Sequence, residues 1–236
     1  MDLSRYEAMM ESRMACAPFP IPVEELRERY LAVSTAMVND VLREEGLLRQ
    51  ALPGHIVPLR EGMRLCGTAF TIQGGPSLSV KNEMEERARM LESIPADSVV
   101  VWDTSGDTVS AQWGEMMTRA AMRQGCRGAV VDGGVRDTAG VLARDFPLFC
   151  RYRSSNGMLG RFRITGWQIP VEIGEVQIYP GDVVLGDLDG VLVVPRHLAY
   201  SVLRRAEAVR SGEEDIARMI ENGVSPGEIV ALGGYF

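Results

Sequence analysis

Five residues in the middle third of this 236-residue chain have types and spacings that could do chemistry: Asp103, Glu115, Asp132, Arg136 and Asp137. Asp103 and Asp132 each follow a short apolar run, residues 98–102 and 128–131, of the kind that forms a buried parallel strand. Between the runs, residues 114–124 place Met116, Met117, Ala120 and Ala121 at helical spacing, and Gly125 stands where a helix would stop. Ligands of parallel sheets bind beyond the carboxyl ends of the strands, where helix N-termini also point unsatisfied amides. At that edge the carboxylates could hold a cation, while Arg136 and the first-turn amides of Glu115, Met116 and Met117 could hold an anion. His55 and His197 are the only histidines and are expected outside the cluster, so a metal there would meet oxygen ligands, which favours Mg²⁺ or Mn²⁺ over Zn²⁺. A hard cation beside an arginine suits a 2-oxo acid: with its carboxylate on Arg136 and its keto oxygen on the metal, the carbonyl can take up the electrons of a breaking C–C bond. Each feature also has a structural reading, since Arg-Asp at a helix start is commonly a cap or ion pair and Gly133-Gly134 a tight turn. Convergence of three segments on one edge is what points to chemistry.

The elements that must position these residues can be read along the chain. Residues 23–45 are helical in two pieces divided near Ser34-Thr35, where a hydroxyl can cap the second. Residues 63–73 read as a strand ended by Gly74-Gly75-Pro76, and residues 81–92 as a charged amphipathic helix. Gly133-Gly134-Val135 is expected to turn the chain so that Arg136-Asp137 opens a helix reaching about Arg144. Residues 147–195 break into short β runs separated by turn pairs, and residues 196–222 return to helix and stop at Gly223. No repeat or linker interrupts this order. The expectation is an α/β fold, a single multilayer domain with a parallel β-α-β core and a β-rich second half, over residues 23–236. Residues 1–22 precede it as a Met-rich N-terminal arm whose Ala-Pro-Phe-Pro-Ile-Pro end fixes an extended connector.

Composition removes alternatives. Lys81 is the single lysine among 25 basic residues and follows Val80, so a Gly-Lys-Ser/Thr phosphate loop is absent and amine catalysis has only one candidate. No Gly-x-Gly-x-x-Gly supports a dinucleotide site. The four cysteines are scattered without Cys-x-x-Cys, against zinc knuckles and disulfide frameworks. A net charge of −7 argues against nucleic acid and anionic membranes as partners, and no segment approaches the roughly 20 apolar residues of a membrane span. The N-terminal residues lack an apolar core, so no signal peptide and a cytoplasmic location are expected.

The runs Trp113-Gly-Glu-Met, Asp132-Gly-Gly-Val-Arg-Asp137, Tyr179-Pro-Gly-Asp182 and Asp187-Leu-Asp-Gly, with an acid, twenty residues (116–135) and then Arg-Asp, resemble the RraA-like family. They are most similar to its catalytic branch, the class II 4-hydroxy-4-methyl-2-oxoglutarate aldolases that also decarboxylate oxaloacetate. The resemblance implies a swivelling-domain fold and a lyase that releases pyruvate from a small 2-oxo acid. It implies that Arg136 binds the pyruvoyl group, with Gly114 and the amides of Met116 and Met117 assisting. Asp137 would ligate Mg²⁺ (or Mn²⁺) directly, and Glu115 would hold metal-bound waters. It further implies a homotrimer or homohexamer with sites between subunits and an acid supplied in trans, for which Glu214 is the candidate and Glu213 its rival. Where many members carry Asp-Asn, this chain has Lys81-Asn82, expected near the substrate's distal end. The family's noncatalytic branch, a protein-binding inhibitor of ribonuclease activity, is the alternative; it lacks the aspartate that here is Asp137.

Overall fold

A computed structural model describes residues 3–14 and 18–236. Helices α1 (Leu3–Met14), α2 (Val23–Leu31) and α3 (Thr35–Glu44) precede strands β1 (Val57–Pro58) and β2 (Leu65–Pro76). There follow α4 (Glu83–Glu92), β3 (Ser98–Asp103), β4 (Ala111–Trp113), α5 (Glu115–Arg123), β5 (Gly128–Val135), α6 (Thr138–Leu142) and β6 (Leu148–Arg153). The second half contributes β7 (Phe162–Trp167), β8 (Val171–Ile173), β9 (Val176–Ile178), β10 (Val183–Asp187) and β11 (Gly190–Val194). A short 3-10 turn then leads into α7 (Ala199–Glu221) and α8 (Pro226–Ala231).

Nine strands form one mixed sheet. Its path runs β1-β6-β5-β3-β2-β10-β11, with β4 beside β5 and β7 beside β2, while β8 and β9 make a separate hairpin. Strands β2, β3, β5 and β6 are parallel to one another, so the expected strand-helix-strand unit is present as β3, α5 and β5. Just before β1, the amide of Leu52 donates to Val191 O at 2.8 Å and that of Val193 to Gln50 O at 2.9 Å. This stitches the two ends of the path together and makes the sheet nearly barrel-like. The run Val99, Val100, Val101, Trp102 on β3 is fully buried on both faces, as a central parallel strand requires.

Two glycine runs and one helix start differ from expectation. Gly133-Gly134 does not turn the chain; β5 continues through Val135, with its pairing to β6 shifting between Val131 and Gly134. A Cβ at Gly134 would stand 2.5 Å from the Tyr152 ring, and one at Gly133 2.7 Å from the Thr104 methyl, so these glycines permit close packing rather than a bend. Gly74-Gly75-Pro76 likewise does not end β2, which bulges at Gln73/Gly74 and pairs on with β7 while the Phe162 ring lies against Gly74. The helix expected from Lys81 begins at Glu83, after Asn82 in a left-handed conformation (φ 59°). Strands β4 and β6 and helix α8 carry no clear sequence pattern and are seen only in the structure. In the N-terminal arm, Leu3–Met14 is helical, residues 1, 2 and 15–17 lie outside the described residues, and the proline-rich connector lays Phe19 under Arg196 at 4.1 Å.

Capping follows the sequence. Ser34 accepts from the amide of Met37 at 3.1 Å and starts α3. The buried carboxylate of Asp187 reinforces that start, accepting from Thr35 N at 2.8 Å, Thr35 Oγ1 at 2.7 Å and Asp189 N at 3.1 Å. Replacing Asp187 by Ala orphans the buried Thr35 donors, which should cost about 2 kcal/mol and lower Tm by about 4–8 °C for a chain of this size. Differential scanning calorimetry checks this, and an unchanged Tm would contradict it.

Candidate active site

The site is built around the exit of β5. The amide of Arg136 donates to the carbonyl of Trp113, the last residue of β4, at 2.9 Å. This bond sets the start of α5 beside the Arg136-Asp137 turn. Gly114 is the point of contact: a Cβ there would stand 3.0 Å from Asp137 Oδ2 and 3.2 Å from Arg136 Cγ. Gly114 also has no side chain to cap α5, so the first-turn amides of Glu115, Met116 and Met117 keep their donors uncapped. Trp113 itself is buried, stacked on Phe146 with ring centroids 6.3 Å apart and edge-on to Trp102 at 6.5 Å. Its indole N–H donates to Thr118 Oγ1 at 2.8 Å, and Thr118 in turn donates to Gly114 O at 3.1 Å.

The arginine and aspartate are half-exposed and lightly used. Arg136 Nε lies 3.6 Å from Asp137 Oδ2, and among the described residues no hydrogen bond holds the guanidinium. A Cβ added at Gly157 would stand 2.6 Å from Arg136 Nη1, so the guanidinium passes directly over that glycine. Asp137 sits at the N-cap of α6 with φ 53°, a conformation that costs a non-glycine residue energy, yet its carboxylate makes no capping bond. Of the two structural readings of Arg-Asp, the helix cap fails and the ion pair is present, at 3.6 Å. The pair opens into a pocket of about 370 Å³ shared with Thr138, Arg153, Ser154 and Ser155. Sequence reasoning missed Arg153, Ser154 and Ser155 because β6 and the turn after it gave no signal.

Glu115 lies against the first turn of α6, at Gly140. Its Oε1 accepts from Arg119 Nε and Nη2 at 2.9 and 2.7 Å and pairs with Arg144 Nη2 at 3.0 Å. Hydrogen bonding from Arg119 chiefly, opposed in part by burial, holds its carboxyl below the usual 4.5. Met117 is core, whereas the Met116 side chain is 63% exposed, so only their amides bear on the site. Lys81 and Asn82 are exposed on the loop that runs beside residues 158–161, where Ser77 N donates to Arg161 O at 2.8 Å. Among the described residues, no hydrogen bond or ion pair joins them to Arg136 or Asp137. Glu214 lies on α7, 3.8 Å from Arg210, and does not line that pocket.

Asp103 and Asp132 do not join Asp137. Asp103 is held by Ser105 N at 2.7 Å and Gln73 Nε2 at 3.3 Å. Asp132 stands 3.5 Å from Arg151 Nε and 3.4 Å from His55 Nε2, which corrects the expectation that His55 lies apart from these carboxylates. Burial pushes the Asp132 carboxyl up, with Arg151 opposing. The β1–β6 pairing brings His55 there, a long-range contact that spacing along the chain cannot show.

A metal at Asp137 would have few protein ligands. Among the described residues no three His, Cys, Asp or Glu side chains gather as a cage. A single accessible carboxylate fits Mg²⁺ or Mn²⁺, which take one or two protein oxygens and keep their waters, and does not fit a structural zinc.

Residues 35–193 match the family model described as RraA-like, Aldolase/RraA. Protein DlpA of Legionella pneumophila is 31% identical over 198 residues, 84% of this chain; the chain spans 32% of that relative's length. A Halalkalibacterium halodurans protein named "Putative 4-hydroxy-4-methyl-2-oxoglutarate aldolase" is 32% identical over 83% of this chain and 89% of its own length. Among solved structures, one described as novel cellulases from microbes associated with the gut ecosystem is 48% identical, with a TM-score of 0.85, over 91% of this chain and 96% of that one. RraAS2 of Streptomyces coelicolor, described as an unusual member of the RNase ES inhibitor RraA protein family, is 29% identical with a TM-score of 0.75, over 86% of this chain and 100% of its own. The matched span contains the β3-α5-β5 unit, Gly114, Glu115 and the Arg136-Asp137 turn, and the chain belongs to the RraA-like family.

Proposed function

We propose that the chain is a divalent-metal-dependent carbon–carbon lyase. It releases pyruvate from a 4-hydroxy-2-oxo acid of the 4-hydroxy-4-methyl-2-oxoglutarate type, with oxaloacetate decarboxylation as a side or main activity. The observation that carries this reading is the contact at Gly114, which sets an uncapped helix N-terminus against an arginine without a hydrogen-bond partner among the described residues and a carboxylate that caps nothing. The aldolase name of a relative matched over most of both chains supports the same class.

Each residue then has a task. Arg136 binds the carboxylate and keto oxygen of the pyruvoyl half, and the amides of Met116 and Met117 supply two further donors. Asp137 holds Mg²⁺ or Mn²⁺, and the bound cation supplies the electron sink that the breaking C–C bond requires. Glu115 keeps one oxygen open to water, which can carry the proton that the pyruvate methylene must gain. Glu214 of a neighbouring subunit in a trimer or hexamer is the acid on the far side, and Lys81-Asn82 contact the distal group. Cellulose hydrolysis would require an acid–base pair of carboxylates flanking a glycosidic bond. Here Asp137 stands beside Arg136 and Glu115 is bound by two arginines, a set suited to an anion and a cation.

The likeness to RraAS2 keeps one second reading, a protein-binding regulator of ribonuclease activity. A stoichiometric ribonuclease complex from a chain without lyase activity would favour it.

Pyruvate release from 4-hydroxy-4-methyl-2-oxoglutarate or oxaloacetate, followed by a coupled dehydrogenase assay, should fall to background in EDTA and return with Mg²⁺. Activity that survives complete metal removal contradicts the reading. Arg136→Ala should lower kcat/KM on the order of 100-fold or more, the usual cost of removing a charge-stabilising donor, and Asp137→Ala should do no better. The lowered carboxyl of Glu115 gives a pH signature. Its ion pairs contribute fully above the ordinary 4.5 and are lost as pH falls through the lower folded value. The Tm difference between wild type and Glu115→Gln should therefore shrink from about pH 6 to about pH 3, and a constant difference would contradict the assignment.

A further inference from the structure

The two carboxylate oxygens of Glu115 have different surroundings. Oε1 takes all three guanidinium contacts, two from Arg119 and one from Arg144. Oε2 has no hydrogen-bond partner among the described residues. It rests on Gly140, where an added Cβ would overlap Oε2 and Cδ and stand 2.8 Å from Cγ. Gly140 belongs to the first turn of α6, and its amide donates to Asp137 O at 3.0 Å. The bare backbone under Oε2 is thus the turn that begins at Asp137. The Glu115 side chain is only 23% exposed, and Arg144, which reaches back from beyond the end of α6, is equally shielded.

We propose that Arg119, Arg144 and Gly140 form a bracket that positions Glu115, the arginines anchoring Oε1 while the missing side chain at 140 leaves Oε2 open as a water acceptor on the Asp137 side of α6. None of the three touches substrate; they act through Glu115. The reason for such a bracket is electrostatic. A mobile glutamate beside a cation-binding aspartate would collapse onto the cation and displace water, whereas a glutamate tied through one oxygen reaches it only through a water. The two arginines also differ. Arg119 offers Nε and Nη2 to one oxygen, which only a guanidinium can do, while Arg144 offers one N–H that an ammonium can replace.

The catalytic consequence rests on the lyase reading, so the test pairs activity with Mn²⁺ affinity, measured on the full chain by electron paramagnetic resonance of free Mn²⁺. Gly140→Ala is the decisive variant: φ at 140 is not left-handed, so the backbone accepts alanine, and the added Cβ meets only the Glu115 side chain, so any loss of Tm should not exceed that of Glu115→Gln. Its Mn²⁺ affinity and kcat should both fall about tenfold or more, with KM moving less. Arg144→Ala and Arg119→Lys should lose about as much, and Arg144→Lys should restore most of what Arg144→Ala loses. Gly140→Ala with wild-type Mn²⁺ affinity overturns the bracket. A wild-type chain that binds Mn²⁺ but releases no pyruvate overturns the lyase reading, and the bracket is then decided by the affinities of the variants. A wild-type chain that binds no Mn²⁺ overturns both.

Discussion

One hydrogen bond, from the amide of Arg136 to the carbonyl of Trp113, is the constraint on which the site depends. It continues the β4–β5 pairing one residue past the strand and so fixes where α5 begins relative to the Arg136-Asp137 turn. Everything polar nearby follows from that registration: Gly114 against Asp137, the uncapped amides of α5, and the guanidinium laid over Gly157. The registration is held from below by Trp113, which is fully enclosed between Phe146 and Trp102. Each aromatic pair adds on the order of 1 kcal/mol beyond burial, and the indole N–H is spent on Thr118 rather than on ligand. A rigid apolar floor thus carries the exposed, sparsely bonded pair Arg136-Asp137, a preorganised set of the kind the proposed reaction would need.

Arginine dominates the basic residues, and the site uses the geometry of the guanidinium group. Arg119 closes two N–H groups on one oxygen of Glu115, and Arg153 donates to Leu59 O at 2.8 Å while lining the pocket. Arg136 alone among these is without a hydrogen-bond partner. That asymmetry is what the proposed function uses, since a guanidinium with free N–H groups could pair an incoming carboxylate. The single lysine lies on the exposed loop before α4.

Much of this was legible in the sequence, for identifiable reasons. The β3-α5-β5 unit shows because its strands are buried on both faces and its helix has a strong apolar stripe ended by Gly125. Ser34 shows because an N-cap is a local device. The glycine pairs misled because composition cannot distinguish a glycine that turns the chain from one that admits a neighbour; Gly74 admits Phe162, and Gly134 admits Tyr152. Strand β6, Leu-Phe-Cys-Arg-Tyr-Arg, lacks alternation because its C-terminal half leaves the core, Arg151 for Asp132 and Arg153 for the pocket. Arg153, Ser154 and Ser155 were hidden with it. The approach of His55 to Asp132 and of Arg144 to Glu115 depends on contacts between distant segments, for which one sequence offers no local signal.

Arg136, Asp137 and the start of α5 are proposed to act as one site. Crystals soaked with Mn²⁺ and pyruvate, examined by anomalous diffraction at the manganese edge, test this most directly. The account predicts a manganese peak at the Asp137 carboxylate and the pyruvate carboxylate on Arg136 and the Met116 and Met117 amides. Manganese bound elsewhere, or pyruvate that leaves Arg136 untouched, would contradict it.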